Sequence, residues 1–435
     1  MNSNSLSKGT IMSIRDDARK MKLKAPYMAN ASIEDRNKAL RMISEALKAG
    51  ADKIFAANAE DMAEAEKNGV PGAVLKRLKF DEGKLKASTD GIESLIGIED
   101  PIGRITLHRQ LDEGLVLTRI SCPIGVIGVI FEARPDAMIQ IASLCIKSGN
   151  CAILKGGKET KQTNKEIFAL IHEAVKSAGL PEECLYQATS HSEIDELLDC
   201  YGDVDLIIPR GSNAFVRYIM DNTRIPVMGH ADGICHIYVD KAADQNMALK
   251  IITDAKIQYT AACNAVETIL VHKDIADEFL PKLNDSMGKV GVTLKGDSAT
   301  REIIPVEAIG EEGYIEYLSL MASVKVVDDV VEAVTHINSH GSHHTDAIIT
   351  EDDTAASQFM QLTDSAGVYR NCSTRFADGF RYGFGAEVGI STSKLHARGP
   401  VGLDGLMTYK YMLNGSGQIV DDYAKGVREF RFRDL

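Results

Sequence analysis

Between residues 126 and 350 the chain alternates short apolar runs with longer stretches of helical periodicity, and that rhythm limits the fold more than any other feature. The runs at 126–131, 151–154, 205–208 and 236–239 are interleaved with candidate helices at about 137–148, 160–178, 212–221 and 242–257. A second alternating stretch follows, with candidate strands at 267–272, 324–327 and 347–350. A strand that is apolar along its length is buried on both faces, and a connection long enough to hold a helix joins parallel strands. The expectation is two α/β domains in sequence, each a parallel sheet with helices on both faces.

Outside that section, residues 32–50 predict an amphipathic helix. Ser32 can cap it with Asp35 three places on, Ile33, Leu40, Ile43 and Leu47 recur at helical spacing, and Gly50 ends it. More helix is expected to about Gly69. Residues 105–120 read as a hairpin turning at Glu113 and Gly114, able to leave the domain as an arm. The strand-like stretch 406–413 is a candidate partner for it, in the same subunit or a neighbour. The first dozen residues read as a loose polar tail.

A formal net charge of −13, from 49 Lys and Arg against 62 Asp and Glu, argues against nucleic acid as the main partner, because phosphate backbones are bound through excess positive charge. No apolar run is long enough to span a membrane, and the start lacks the apolar stretch of a secretory signal. The eight cysteines form no CxxC pair and sit mostly in apolar segments, which is the usage of a reducing compartment. A cytoplasmic protein is expected.

Cys263 follows the helix-like DAKIQYTA and precedes the strand beginning near Glu267. A thiol at such a junction can use backbone N–H groups to hold its thiolate and an oxyanion, although most cysteines in an apolar, reduced protein are inert packing. Gly-rich turns at 155–158, 209–212 and 229–233 sit where a strand hands over to a helix, a place suited to phosphates. Neither a G-x-G-x-x-G fingerprint nor a Walker A sequence is present. The segment 366–403 is irregular and carries Arg370, Arg375, Arg381, Lys394 and Arg398, which could receive an anion despite the acidic whole. His340, His343 and His344 invite a metal reading, but their spacing lacks partner thiols or carboxylates, and no metal site is expected.

Six segments in order, PIGVIGVIFEARPD (123–136), SGNCAILKGGKET (148–160), IIPRGS (207–212), PVMGHADGICHIYVD (226–240), AACNAVETILVH (261–272) and FGAEVGISTSKLHARGPVGLDGL (384–406), resemble the aldehyde dehydrogenase superfamily. Within it they are most similar to the branch that reduces L-glutamyl 5-phosphate. The resemblance implies two Rossmann-like doubly wound α/β domains with a β-hairpin oligomerisation arm. It places an NADPH-binding domain at 13–104 and 122–236, a catalytic domain at 237–383 and the arm at 105–121 and 404–415. A substrate and cofactor loop would follow at 384–403, with a C-terminal tail at 416–435.

Carried over position by position, the resemblance implies Cys263 as nucleophile, with Arg134 and Asn264 in the catalytic group. Lys155, Lys158, Gly211, Ser212 and Glu316 would bind cofactor, and Glu387, Ser391, Thr392 and Arg398 would bind substrate. Three departures from hydrolytic members bear on activity. His230 stands where a glutamate would activate water, Arg134 stands where an asparagine would hold the oxyanion, and Lys158 stands where NAD users carry an acid. These favour an acyl-phosphate donor and the 2′-phosphate of NADPH. A homo-oligomer, dimer or tetramer, is implied. The chain is too short for the kinase half that some relatives carry, so a separate glutamate 5-kinase would make the substrate. The competing readings are a coenzyme A-acylating aldehyde dehydrogenase and a catalytically silent binding protein that kept the fold.

Overall fold

A computed structural model describes residues 13–435 other than His191. The expected loose tail at residues 1–12 lies outside the described residues. The helix expected at 32–50 spans Ile33–Ala49; Ser32 accepts from the Asp35 N–H, and Leu40, Ile43 and Leu47 are fully buried. A further helix, Ala51–Lys67, continues from Gly50. Each such aliphatic side chain contributes roughly 1.5–3 kcal/mol when removed from water, so helical periodicity here is a record of which face packs.

Four parallel strands form the first sheet, in the order Leu185–Ala188, Cys151–Gly156, Val126–Phe131, Leu206–Arg210. Seven parallel strands form the second, in the order Glu307–Ala308, Thr293–Gly296, Met321–Val327, Val266–His272, Cys235–Val239, Thr345–Ile349, Gly367–Arg370. Helices such as Pro135–Lys147 and Lys161–Ala178 make the crossovers. Every strand expected from apolar runs is present. Those the sequence did not reveal, among them Leu185–Ala188, Thr293–Gly296 and Gly367–Arg370, are at most four residues long, too short for a periodic signal. One hydrophobic core lies around the first sheet, and two smaller clusters line the second.

Ile105–Asp112 and Leu115–Pro123 form the expected hairpin, with Gly114 at φ 72° in its turn. Met407–Asn414 pairs antiparallel with the second of these strands in the same chain, Met407 opposite Pro123 and Asn414 opposite Val116. The C-terminal segment expected as a tail returns to this sheet: Arg433–Asp434 pairs with the first hairpin strand, Asp434 bridges Arg109 at 2.6 Å, and Tyr423 donates to Asp112 at 3.0 Å. Among the described residues no helix is long and apolar enough to cross a membrane.

Candidate active site

Helix Gln245–Ile257, capped by Asp244, ends before the tyrosine of the DAKIQYTA stretch, and residues 258–265 run as irregular turns into Val266–His272. Cys263 is half-buried in that turn. Two groups grip its backbone. Cys235 Sγ donates to the Cys263 carbonyl at 3.3 Å, and Gly233 packs so closely that a Cβ there would sit 2.1 Å from the same oxygen. From the other side, Asn264 Nδ2 donates to the Ala377 carbonyl at 2.8 Å and Thr374 Oγ1 donates to the Asn264 carbonyl at 2.7 Å. Asn264 was expected among the catalytic groups; one of its amide N–H groups is turned to the Ala377 carbonyl, which ties the side chain into the nucleophile turn.

Two imidazoles flank the thiol. His230, His344 and Cys263 place donor atoms within 4.8 Å of one another. His230 Nδ1 lies 2.8 Å from the Ile390 carbonyl, which can only accept, so Nδ1 carries the proton and Nε2 presents a lone pair. Burial, above all, pulls the His230 pKa below the ordinary imidazole value, which keeps the ring neutral at pH 7. His344 meets it edge-on at 4.8 Å between ring centroids, bonds Thr345 Oγ1 through Nδ1, and leaves its buried Nε2 without a partner. Of the three histidines weighed for a metal, His343 and His340 bond the carbonyls of Asp364 and His336, and only His344 reaches a thiol. The fold thus supplies the soft donor that linear spacing lacked. A thiol and two imidazoles are ligands of the kind zinc takes.

Arginines line the approach to Cys263. Arg134 is the N-cap of helix Pro135–Lys147, just after Ala133, which is held at φ 51° with its N–H on Glu159. Arg210 ends the neighbouring strand, in register with Phe131. Burial first, then the Arg134 charge, lowers the Arg210 pKa, while Glu387 and Cys263 act in the opposite sense. Arg375 also feels the Cys263 charge; its Nε donates to Gln258 at 2.9 Å, and Arg381 donates to its carbonyl. The other cations of the 366–403 segment are paired elsewhere: Arg370 with Asp353, and both Lys394 and Arg398 with Asp364. Arg398 was expected to bind substrate; its Nη2 is instead held by the Asp364 carboxylate and carbonyl at 3.0 and 3.1 Å on an exposed surface.

The expected cofactor residues gather at the carboxyl ends of the first sheet's strands. Lys155 is buried there with Nζ on the Gly156 carbonyl at 2.7 Å, and burial lowers its pKa. Lys158 is exposed, without an ion-pair or hydrogen-bond partner among the described residues. Gly211 and Ser212 form the turn before helix Asn213–Asp221, and the Ser212 N–H donates to Glu132 at 3.0 Å. Asn213 Nδ2 donates to Glu316, so the fold sets Glu316 one residue from that turn although the chain separates them by a hundred positions. In the last segment, Glu387 accepts the Gly379 N–H at 2.8 Å, and burial raises its pKa. Ser391 is fully buried in the short strand Gly389–Ser391, and Thr392 follows it half-buried.

Sequence reasoning passed over Arg210 and Glu132 as site residues, and weighed His344 only as a metal ligand and not as a neighbour of Cys263. The usable signal for Arg210 was its place at the end of a strand in a parallel sheet, where ligands bind. For His344 there was none, since its partner lies 81 positions away in the chain.

The aldehyde dehydrogenase family model matches residues 4–303. A curated protein named gamma-glutamyl phosphate reductase, from Pelotomaculum thermopropionicum, is 54% identical over 425 residues, covering 98% of this chain and 98% of its own. The crystal structure of a gamma-glutamyl phosphate reductase from Thermotoga maritima superposes with a TM-score of 0.91 at 37% identity, covering 94% of this chain and all of that one. An acetylating aldehyde dehydrogenase from Geobacillus thermoglucosidasius superposes with a TM-score of 0.65 at 16% identity, covering 93% and 97% of the two chains; it bears on the fold alone.

Proposed function

The chain belongs to the aldehyde dehydrogenase family, and from that premise we propose that it reduces L-glutamyl 5-phosphate to L-glutamate 5-semialdehyde and phosphate with NADPH, the second step from glutamate to proline. The observation that carries the reading is the group around Cys263: His230 and His344 bring imidazole nitrogens within 4.8 Å of the thiol, and among the described residues no carboxylate joins that group. A thioester formed within that group meets imidazoles where hydrolytic relatives carry a glutamate to activate water.

His230 Nε2 or His344 Nε2 takes the Cys263 proton. The thiolate attacks the acyl carbon, a sulfur–carbon bond forms, and the carbon–oxygen bond to phosphate breaks. Arg134 supplies a cation beside the reacting centre, where negative charge develops. When bound, NADPH supplies the hydride that reduces the thioester carbon. The thiohemiacetal then collapses, the sulfur–carbon bond breaks, and the imidazole returns the proton. Covalent catalysis divides one hard substitution and reduction into two easier steps.

A nicotinamide cofactor suits the fold, and the residues fit it. Lys155, Gly211, Ser212 and Glu316 would hold it, and the unpaired Lys158 offers a cation for a 2′-phosphate. Glu387 and Arg375 suit the amino and carboxylate groups of the glutamyl end, with Ser391 and Thr392 beside them. A separate glutamate 5-kinase would supply the labile acyl phosphate. The arm strand exposes Tyr409, Tyr411 and Leu413, apolar surface suited to another copy of the chain. Eight free cysteines support a cytoplasmic setting.

The test is the reverse reaction, phosphate-dependent reduction of NADP⁺ by pyrroline-5-carboxylate, with wild type beside Cys263→Ala. Activity that needs phosphate and disappears in the variant is expected. Activity persisting in the variant would remove Cys263 from the mechanism, and activity with coenzyme A but none with phosphate would move the protein to acyl-thioester substrates.

A further inference from the structure

Arg134 and Arg210 carry like charges at the ends of adjoining strand segments, and neither guanidinium makes a hydrogen bond or ion pair among the described residues. Most arginines in this chain that lie near an acid are paired: Arg36, Arg104, Arg109, Arg217, Arg370, Arg381, Arg398 and Arg428 all have carboxylate partners. Leaving two cations side by side in a partly dry cleft is unfavourable by itself. The arrangement is explained if an anion from outside the chain completes it.

The geometry narrows the anion. Phe131 and Arg210 are opposite one another in the sheet, and Arg134 follows Phe131 by three residues, so both arginines stand at the carboxyl edge of the sheet. Helix Pro135–Lys147 begins at Arg134 with no side-chain cap, which leaves its first N–H groups unfilled by side chains. Gly389 closes the other side: a Cβ there would come 2.9 Å from Arg210 Nη1, so only glycine leaves the guanidinium its place. Two forked donors carried by neighbouring positions at the carboxyl end of the sheet match a tetrahedral anion with several equivalent oxygens better than a single planar carboxylate. Arg375 is already tied to Gln258, and Arg381 to Asp378 and to the Arg375 carbonyl.

We propose that Arg134 and Arg210 together form the phosphoryl subsite, holding the phosphate of the acyl donor as it leaves the acyl carbon attacked by Cys263 and inorganic phosphate as it enters in reverse, with Arg210 setting phosphate affinity. This rests on the acyl-phosphate reading above. Arg210→Met should raise the KM for inorganic phosphate in the reverse reaction by about tenfold to a hundredfold, the worth of charge-assisted hydrogen bonds, with the KM values for pyrroline-5-carboxylate and NADP⁺ little changed. Arg210→Lys, which keeps the charge and loses the fork, should fall between. Inorganic phosphate should also slow alkylation of Cys263 by iodoacetamide in wild type and not in Arg210→Met, a readout that needs no turnover.

An unchanged phosphate KM in both variants would overturn the proposal. A rise confined to NADP⁺ would assign Arg210 to the cofactor, and a rise confined to pyrroline-5-carboxylate would assign it to the amino-acid end; either also overturns it. Wild type that turns over without phosphate, yet is protected by phosphate from alkylation through Arg210, would refute the acyl-phosphate chemistry while leaving the anion subsite standing.

Discussion

Gly233→Ala tests whether the placement of Cys263 is set by its neighbours. A Cβ on Gly233 would lie 2.1 Å from the Cys263 carbonyl oxygen, 2.5 Å from its Cα and 2.6 Å from its carbonyl carbon, all of them backbone atoms that no rotamer change can move aside. Gly233 is not among the positive-φ residues, so the penalty is steric and not torsional. Since carbon atoms pack at about 3.5–4.0 Å, the two segments must part by roughly 1 Å. A shift of that size at a reacting atom costs on the order of a hundredfold in rate, about 2.7 kcal/mol of barrier. Overpacking adds about 1–3 kcal/mol against folding, which a native state tolerates. The assay is kcat of the phosphate-dependent reverse reaction, with the rate of Cys263 alkylation and the urea unfolding midpoint measured beside it. A folded variant with kcat within about threefold of wild type would refute the claim that Gly233 seats the nucleophile.

Two further perturbations probe groups behind the site. Lys256 and Glu267 are fully buried and paired at 2.6 Å, with Glu267 also receiving the Leu318 N–H near Glu316. Burial pushes the Glu267 pKa up to about 7, so Lys256→Met strands a carboxylate that does not want its charge; a loss of about 3–5 kcal/mol in urea unfolding is expected, and a loss under about 1 kcal/mol would contradict it. His336, buried against Tyr314, His236 and His340, has its pKa lowered to about 3, chiefly by burial. The unfolded chain therefore binds the proton below about pH 6.5 while the native state does not, so this contribution is complete above pH 6.5 and is lost as pH falls toward 3. The stability of wild type should drop by about 1.4 kcal/mol per pH unit more steeply than that of His336→Leu over that window, and parallel slopes in urea titrations would count against it.

How much of the site was legible depends on whether its signal was local. Cys263 announced itself by standing in a turn between a helix and a strand, and Lys155, Gly211 and Ser212 by following apolar runs. Arg398 shows the converse: an arginine in an irregular basic segment has no partner legible in the chain, and only the fold brings Asp364 alongside it. Asn264 follows the nucleophile in the chain, and only the fold shows that one of its amide N–H groups faces Ala377.

The alternation of apolar runs and amphipathic helices was enough to determine two parallel α/β sheets and their crossovers, because burial on both faces and helical periodicity leave a trace in every few consecutive residues. The tertiary structure alone decided that His230 and His344 share the thiol's surroundings, that Glu316 meets the Ser212 turn, that Arg210 stands unpaired beside Arg134, and that residues 416–435 return to the arm. Each of these joins side chains from distant segments, and a polar contact of that kind needs only one residue from each, which leaves no period in the chain to read.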